Sequence, residues 1–148
     1  INLTEKNVLV KLRSEFSNVF SEWFNVLVSN DIQVKINEDF TPLIINQDYE
    51  MEYEFLSGGE RTAIALAYRL ALNQVLNSLV SQIKTKGVMI LDEPTDGFSS
   101  EQIDKMRDLF DQLKSEQLIL VSHEQKIEGL VDHIIKVKKD GESFVSSV

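Results

Sequence analysis

A short apolar run, Val88-Met89-Ile90-Leu91, ends in Asp92-Glu93-Pro94-Thr95, and that juncture narrows the folds open to this chain. Apolar residues bounded by Gly87 and by adjacent carboxylates predict a buried strand over 88–91. Such a strand delivers charge to the carboxyl edge of a sheet, where ligands bind in open α/β folds. Two other pieces frame it. Ser57-Gly58-Gly59-Glu60 comes earlier, at the head of a long helical stretch, and Val121-Ser122-His123 comes later, closing a second apolar run. Each piece alone is common; their order is specific.

Composition sets the outer bounds. With 148 residues, 43% of them apolar and 26% charged, the chain can build one domain with a sizeable core. It has no cysteine, which excludes a disulfide framework and thiolate metal sites. A net charge of −9 argues against a broad surface that neutralises nucleic-acid phosphates, though not against a local basic patch. No segment reads as a membrane span or signal peptide, so the cytosol is expected. The chain opens on Ile1 and not methionine, the expectation being a piece of a longer protein.

Residues 1 to about 29 read as one helix. Leu9, Leu12, Phe16, Val19, Trp23 and Val26 recur at spacings of three and four, which suits either a truncated coiled coil or a core-packing helix. Ile32, Val34 and Ile36 alternate with polar residues as a half-buried strand, and Leu43-Ile44-Ile45 forms a second. Tyr49, Met51, Tyr53 and Phe55 alternate with glutamates as a third, and short connections imply antiparallel pairing. Gly59 to about Ile83 is helical, apolar around most of its circumference and expected to be buried on more than one side, with Lys84-Thr85-Lys86-Gly87 ending it. Then come strand 88–91, helix 100–114 opened by a Ser99–Gln102 capping box, strand 118–121, helix 124–131 and strand 133–137. A hairpin at Lys139-Asp140-Gly141-Glu142 follows. The alternation implies a parallel sheet core in an α/β fold.

The chemistry follows from residue type and place. Asp92 and Glu93 suit a site where one carboxylate holds magnesium through water and the next orients the attacking water. An acidic loop closed by Pro94 is the plainer reading of that dipeptide taken alone. Ser57, Gly58 and Gly59 at a helix amino terminus let free N–H groups approach a phosphate, although a simple helix cap would look the same. His123 ends a strand that neighbours the carboxylate strand, within reach of the same ligand; His133 reads as structural. One absence matters most. No glycine precedes a lysine, so the phosphate-binding loop G-x-x-x-x-G-K-[ST] is missing and the chain cannot wrap a triphosphate by itself.

Taken together, Phe55-Leu56-Ser57-Gly58-Gly59-Glu60-Arg61, Val88–Glu93 with Pro94-Thr95, and His123 resemble the signature motif, the Walker B strand and the switch histidine of an ABC-type ATPase head. The Leu66-Ala67-Tyr68-Arg69-Leu70-Ala71 run adds to the likeness. Over residues 55 to 140 the chain is similar to the carboxyl-terminal half of the head in Rad-fifty and SbcC ATPases of DNA double-strand-break repair. The resemblance implies a parallel sheet core with helices, small antiparallel strands and a helix at the base of a coiled coil. Residues 1–29 would be the returning end of that coil, and 30–148 the carboxyl-terminal lobe of the head. It further implies a magnesium-dependent ATPase that acts only with an amino-terminal half bearing the phosphate loop. Asp92 would serve magnesium, Glu93 would activate water and His123 would sense the γ-phosphate. Ser57, Gly58, Gly59 and Glu60 would meet ATP held by a second head.

Arg61 and Arg69 would relay nucleotide state. Phe98 and Ser99 replace the family's usual Leu-Asp in the loop that crosses the dimer interface. Implied partners are the amino-terminal half, a second head, an Mre-eleven/SbcD-type nuclease and double-stranded DNA, with no membrane and with zinc only in a hinge outside this chain. The nuclease would dock on or beside 1–29, where Phe16, Phe20, Trp23 and Phe24 offer aromatic surface. The location would be cytoplasmic, at the nucleoid, in a prokaryote and nuclear in a eukaryote. The rival readings are an SMC or condensin-like structural head and the ATPase subunit of an ABC transporter.

Overall fold

Phe16, Phe20, Trp23, Phe24 and Leu27 form a wide apolar stripe at helical spacing, and this stripe seats the first helix, α1 (Leu3–Leu27), in the core. The computed structural model describes residues 3–28, 31–79, 87–113, 115–140 and 142–147. Ser17 and Ser21 tie α1 to the strand that follows. The Ser21 hydroxyl donates to the Val34 carbonyl at 2.5 Å, and the Ile36 N–H donates to Ser17 Oγ at 3.3 Å. Three antiparallel strands come next: β1 (Ile32–Ile36), β2 (Pro42–Asn46) and β3 (Tyr49–Met51). Their register sets Val34 opposite Ile44 and Ile44 opposite Met51, so one face of alternating residues turns toward α1.

The second long helix, α2 (Gly58–Leu79), buries Ala63, Ala67 and Ala71 in the core that also holds the α1 aromatics. Phe16 meets Tyr68 edge-on, with ring centroids 4.9 Å apart. The Tyr68 hydroxyl donates to the Phe40 carbonyl at 3.1 Å, and Trp23 Nε1–H donates to Gln74 Oε1 at 3.2 Å. The opposite face of α2 stays uncovered at Leu72, Leu76 and Leu79. Burial on more than one side is therefore not what the described residues show. Apolar content around a helix does not say how many neighbours it has.

Beyond α2, β4 (Val88–Asp92) pairs in parallel with β5 (Gln117–Val121), joined through α3 (Ser100–Leu113). The amphipathic α3 buries Ile103, Met106 and Leu109 in the same core that holds α1 and α2. Leu91 enters that core, whereas the other face of the pair is bare: Ile90 is 64% exposed and Val88, Ile119 and Val121 are exposed beside it. A 3₁₀ helix (Gln125–Leu130) and the antiparallel pair β6 (Ile135–Asp140) and β7 (Glu142–Ser147) complete the chain.

Five expectations change. The third strand ends at Met51, and Tyr53–Phe55 forms a 3₁₀ turn closed by the Leu56 N–H on the Tyr53 carbonyl at 3.2 Å. That turn redirects the chain into α2, and alternation alone could not reveal it. The helix expected at 124–131 is 3₁₀, with no side-chain cap. The last strand pair stands as its own sheet and does not extend β4–β5. The buried stripe of α1 runs 16, 20, 23, 24 and 27, while Leu9 of the heptad set is exposed. Finally, the aromatic docking surface on α1 is overturned, because Phe16, Phe20, Trp23 and Phe24 are all buried. Ile83 and the segment 84–86 lie outside the described residues.

Candidate functional site

The parallel ladder runs one bond past the strand: the Glu93 N–H donates to the Val121 carbonyl at 2.8 Å. Glu93 then leaves extended geometry with φ at +46°. A residue with a Cβ adopts that region at a cost of roughly 1–2 kcal/mol, so its surroundings must hold it there. They do so through its carboxylate. Ser122 Oγ–H donates to Glu93 Oε2 at 3.2 Å, and His123 Nδ1 lies 2.9 Å from Glu93 Oε1. A carboxylate can only accept, so the shared hydrogen sits on Nδ1.

Each partner shifts the other. The hydrogen bond from His123 is the main cause holding Glu93 below the usual carboxylate range, partly opposed by desolvation. The hydrogen bond to Glu93, followed by its charge, raises His123 above the ordinary histidine value. Both act toward a charged pair. The imidazole is largely exposed, which leaves its Nε2 edge open to an incoming oxygen.

Asp92, the last residue of β4, is exposed, and its carboxylate has no partner among the described residues. The described residues contain no cluster of three or more His, Cys, Asp or Glu able to hold a metal. One free carboxylate beside a second still fits magnesium, which keeps most of its waters and often takes only one or two protein oxygens.

The signature-like turn is a separate structure. Ser57 caps α2: its oxygen accepts the Glu60 N–H at 3.3 Å, while its own hydroxyl and N–H both donate to Glu60 Oε2 at 2.8 Å. This is a full capping box, so Glu60 serves the helix start directly. Gly59 is buried. A Cβ there would lie 2.6 Å from Gln102 Oε1 and 2.8 Å from the Gly97 carbonyl oxygen, whereas a Cβ on Gly58 would meet nothing within 4 Å. The expectation that both glycines admit a phosphate thus divides: Gly59 admits the loop after β4, and Gly58 faces open space. The Thr62 hydroxyl donates to the Asp96 carbonyl at 2.6 Å and fastens the same contact.

The structure therefore brings Glu93, Ser122 and His123 together, with Asp92 adjacent in sequence, and leaves Ser57 in its own capping box. Arg61 and Arg69 are exposed on one side of α2. Phe98 is buried in the core at 8% exposure, and Ser99 of that pair is on the surface. There it caps α3, exchanging hydrogen bonds of 3.0 and 3.2 Å with Gln102. Sequence reasoning gave Thr95, Ser122 and Glu124 no role. Thr95 is fully buried and donates from Oγ1 to Glu124 Oε2 at 3.1 Å, and the Glu124 N–H donates to Ser122 Oγ at 3.1 Å. A threonine directly after Asp-Glu-Pro was the signal available for Thr95.

No family model matches the chain. It is 32% identical over 142 residues to the DNA double-strand break repair Rad50 ATPase of Pyrococcus abyssi, a match covering 94% of this chain and 15% of that protein. The Rad50 ATPase of Thermococcus kodakarensis is 33% identical over 148 residues, covering 97% of this chain and 16% of the relative. The chain thus spans about 15% of the length of the curated relatives it matches. Among solved structures it superposes on an SMC ATPase, studied for ATP-driven dimerisation and DNA-stimulated activation, with a TM-score of 0.75 at 23% identity, over 97% of this chain and 89% of that one. An Smc head with an extended coiled coil, bound to the carboxyl-terminal domain of ScpA from Pyrococcus furiosus, gives 0.71 at 24% identity over 98% and 37%. The fold is that of the SMC-type head.

Proposed function

We propose that the chain, similar over most of its length to Rad50 ATPases, is the carboxyl-terminal part of an ATP-binding and ATP-hydrolysing head of a DNA double-strand-break repair ATPase. The observation that carries the reading is the clamp of Glu93 by Ser122 and His123 where two parallel strands end. In this reading Glu93 orients and deprotonates the attacking water, and His123 offers Nε2 to the γ-phosphate while Nδ1 stays on Glu93. Asp92 would hold magnesium through water, and the ion would neutralise phosphate charge. Nothing in this sequence replaces the phosphate-binding loop, so an amino-terminal half must supply it.

The Ser57–Gly58 turn then serves ATP on a second head, where the amino terminus of α2 turns its positive dipole end to negative charge. Residues 1–29 would be the returning end of a coiled coil, consistent with exposed Val8, Leu9 and Val10 on the free portion of α1. ATP-dependent head dimerisation would govern access to double-stranded DNA and to a nuclease of the Mre-eleven type. Such a machine would work in the cytoplasm of a prokaryote or the nucleus of a eukaryote. A structural SMC-like head is the second reading, favoured by the fold match to SMC heads.

Hydrolysis decides between them. In a head reassembled with the phosphate-loop half, Glu93→Gln should retain ATP binding and dimerisation and slow turnover by roughly 10²–10⁴-fold, the usual contribution of a positioned general base. Turnover at the unsubstituted rate would remove Glu93 from the chemistry and leave the structural reading.

A further inference from the structure

We propose that Thr95 and Glu124 are positioning residues for the hydrolytic site, forming with Ser122 a strut that sets the carboxylate of Glu93. The proposal rests on the reading of Glu93 as the water-activating group. Thr95 is the one buried polar residue among those described, and a buried hydroxyl is tolerated only with a partner. Its partner is the carboxylate of Glu124, which lies on the loop after β5, across the sheet end from its own. Glu124 precedes a 3₁₀ helix but makes no side-chain cap there; its carboxylate turns back to Thr95 instead.

The backbone of Glu124 does the second half of the work. Its N–H occupies Ser122 Oγ as an acceptor, which leaves the single hydroxyl hydrogen of Ser122 for Glu93 Oε2. The order is therefore Thr95 to Glu124 to Ser122 to Glu93, a closed path between the two loops that end β4 and β5. It is closed again at Glu93 N–H on the Val121 carbonyl. Glu93 sits at positive φ, a conformation kept only where the surroundings over-determine it. Loosening the strut should let the carboxylate drift, and misplacement by about 1 Å can cost on the order of 10²-fold in rate.

The test uses the head joined with its phosphate-loop half and measures kcat and KM for ATP separately. Thr95→Val and Glu124→Ala should each lower kcat by about tenfold or more with KM changed less than about twofold, because the lost order acts on water and not on nucleotide binding. Thr95→Ser, which keeps the hydroxyl, should restore kcat. Added to Glu93→Gln, Glu124→Ala should cause no further loss, since both act through one carboxylate. Should Thr95→Val fail to fold, the half-buried Glu124 carries the test. A kcat within about twofold of the parent for Glu124→Ala, a loss confined to KM, or full additivity with Glu93→Gln would each overturn the strut. With Glu93→Gln inactive, such a result removes the strut alone; normal turnover in Glu93→Gln removes the underlying reading as well.

Discussion

Gly59 and Gly97 pack backbone against backbone, and this contact joins the start of α2 to the loop that follows the paired carboxylates. A Cβ on Gly59 would lie 2.8 Å from the Gly97 carbonyl oxygen, and one on Gly97 would lie 3.2 Å from the Gly58 carbonyl carbon. Gly97 also takes φ of +76°, which a side chain would strain. The distance between the two loops is thus set by two missing methyl groups. Motion at one would be felt by the other.

Gly59→Ala and Gly97→Ala should therefore each destabilise the fold by about 1–3 kcal/mol, the range for overpacking a closed contact. Gly58→Ala should change stability little, since its Cβ enters open space. If Gly58 faces a phosphate from a second head, that variant should still weaken ATP-driven dimerisation. Melting curves and light scattering on the same three variants separate the two effects. A Gly58→Ala head that dimerises like the parent would remove the phosphate role from that glycine.

Ser57 has two roles that one substitution cannot disentangle. Its capping box with Glu60 means that Ser57→Ala should cost roughly 1 kcal/mol of stability by itself. Ser57→Arg should lose the cap to a similar degree and also place a bulky cation where phosphate is expected. Comparing the two variants by thermal melting and by dimerisation isolates the phosphate role. Equal melts, with dimerisation lost only in Ser57→Arg, is the expected pattern.

The Glu93–His123 pair predicts a window in pH. His123 is raised, so its share of the pairing is fully present below the ordinary histidine value and fades as pH climbs through the raised value. Glu93 is lowered, so its share is present above the ordinary glutamate value and fades as pH falls through the lowered one. Between those limits the charged pair persists. NMR titration of the His123 ring should show its midpoint drop in Glu93→Gln. An unmoved midpoint would mean that the contact does not set the protonation of this histidine.

Burial of the α1 aromatics changes what their removal should do. Phe20 is fully buried and stacks near Phe16 with ring centroids 6.4 Å apart. Phe20→Ala should cost about 3–5 kcal/mol, as large core truncations do, and should lower expression and melting temperature before it alters any partner. An undiminished melting temperature would return this face of α1 to the surface.

Much of the candidate site's layout was legible because its signals are local. The run Val88–Leu91 closing in Asp92-Glu93, the box at Ser99 and Gln102, and the histidine after β5 all need only neighbouring residues to be seen. What escaped depends on the fold's long-range choices. Periodicity showed that α1 had an apolar side but not that Phe16 and Phe20 would meet Tyr68, in a helix far along the chain. Nor could it show Thr95 finding Glu124, since 29 residues separate them. The 3₁₀ turn at Tyr53–Phe55 hid within a strand-like alternation because Tyr53 and Phe55 continue the pattern while remaining exposed.

The bare face of β4–β5 supports the last prediction. Val88, Ile90, Ile119 and Val121 alternate with the core-facing residues of their strands, yet all four are exposed. Fully burying each such side chain is worth about 1.5–3 kcal/mol, so a cover over this face would contribute much of a domain's net stability. In the proposed reading, the amino-terminal half that carries the phosphate loop would be that cover. The 148-residue chain by itself should then be marginally stable and should neither bind ATP tightly nor hydrolyse it. Mixed with an amino-terminal half that carries the loop, it should gain melting temperature, magnesium-dependent turnover and ATP-driven dimerisation together. Calorimetry that finds micromolar ATP binding by the isolated chain would show that the site is complete without a partner, and the half-site reading would fail.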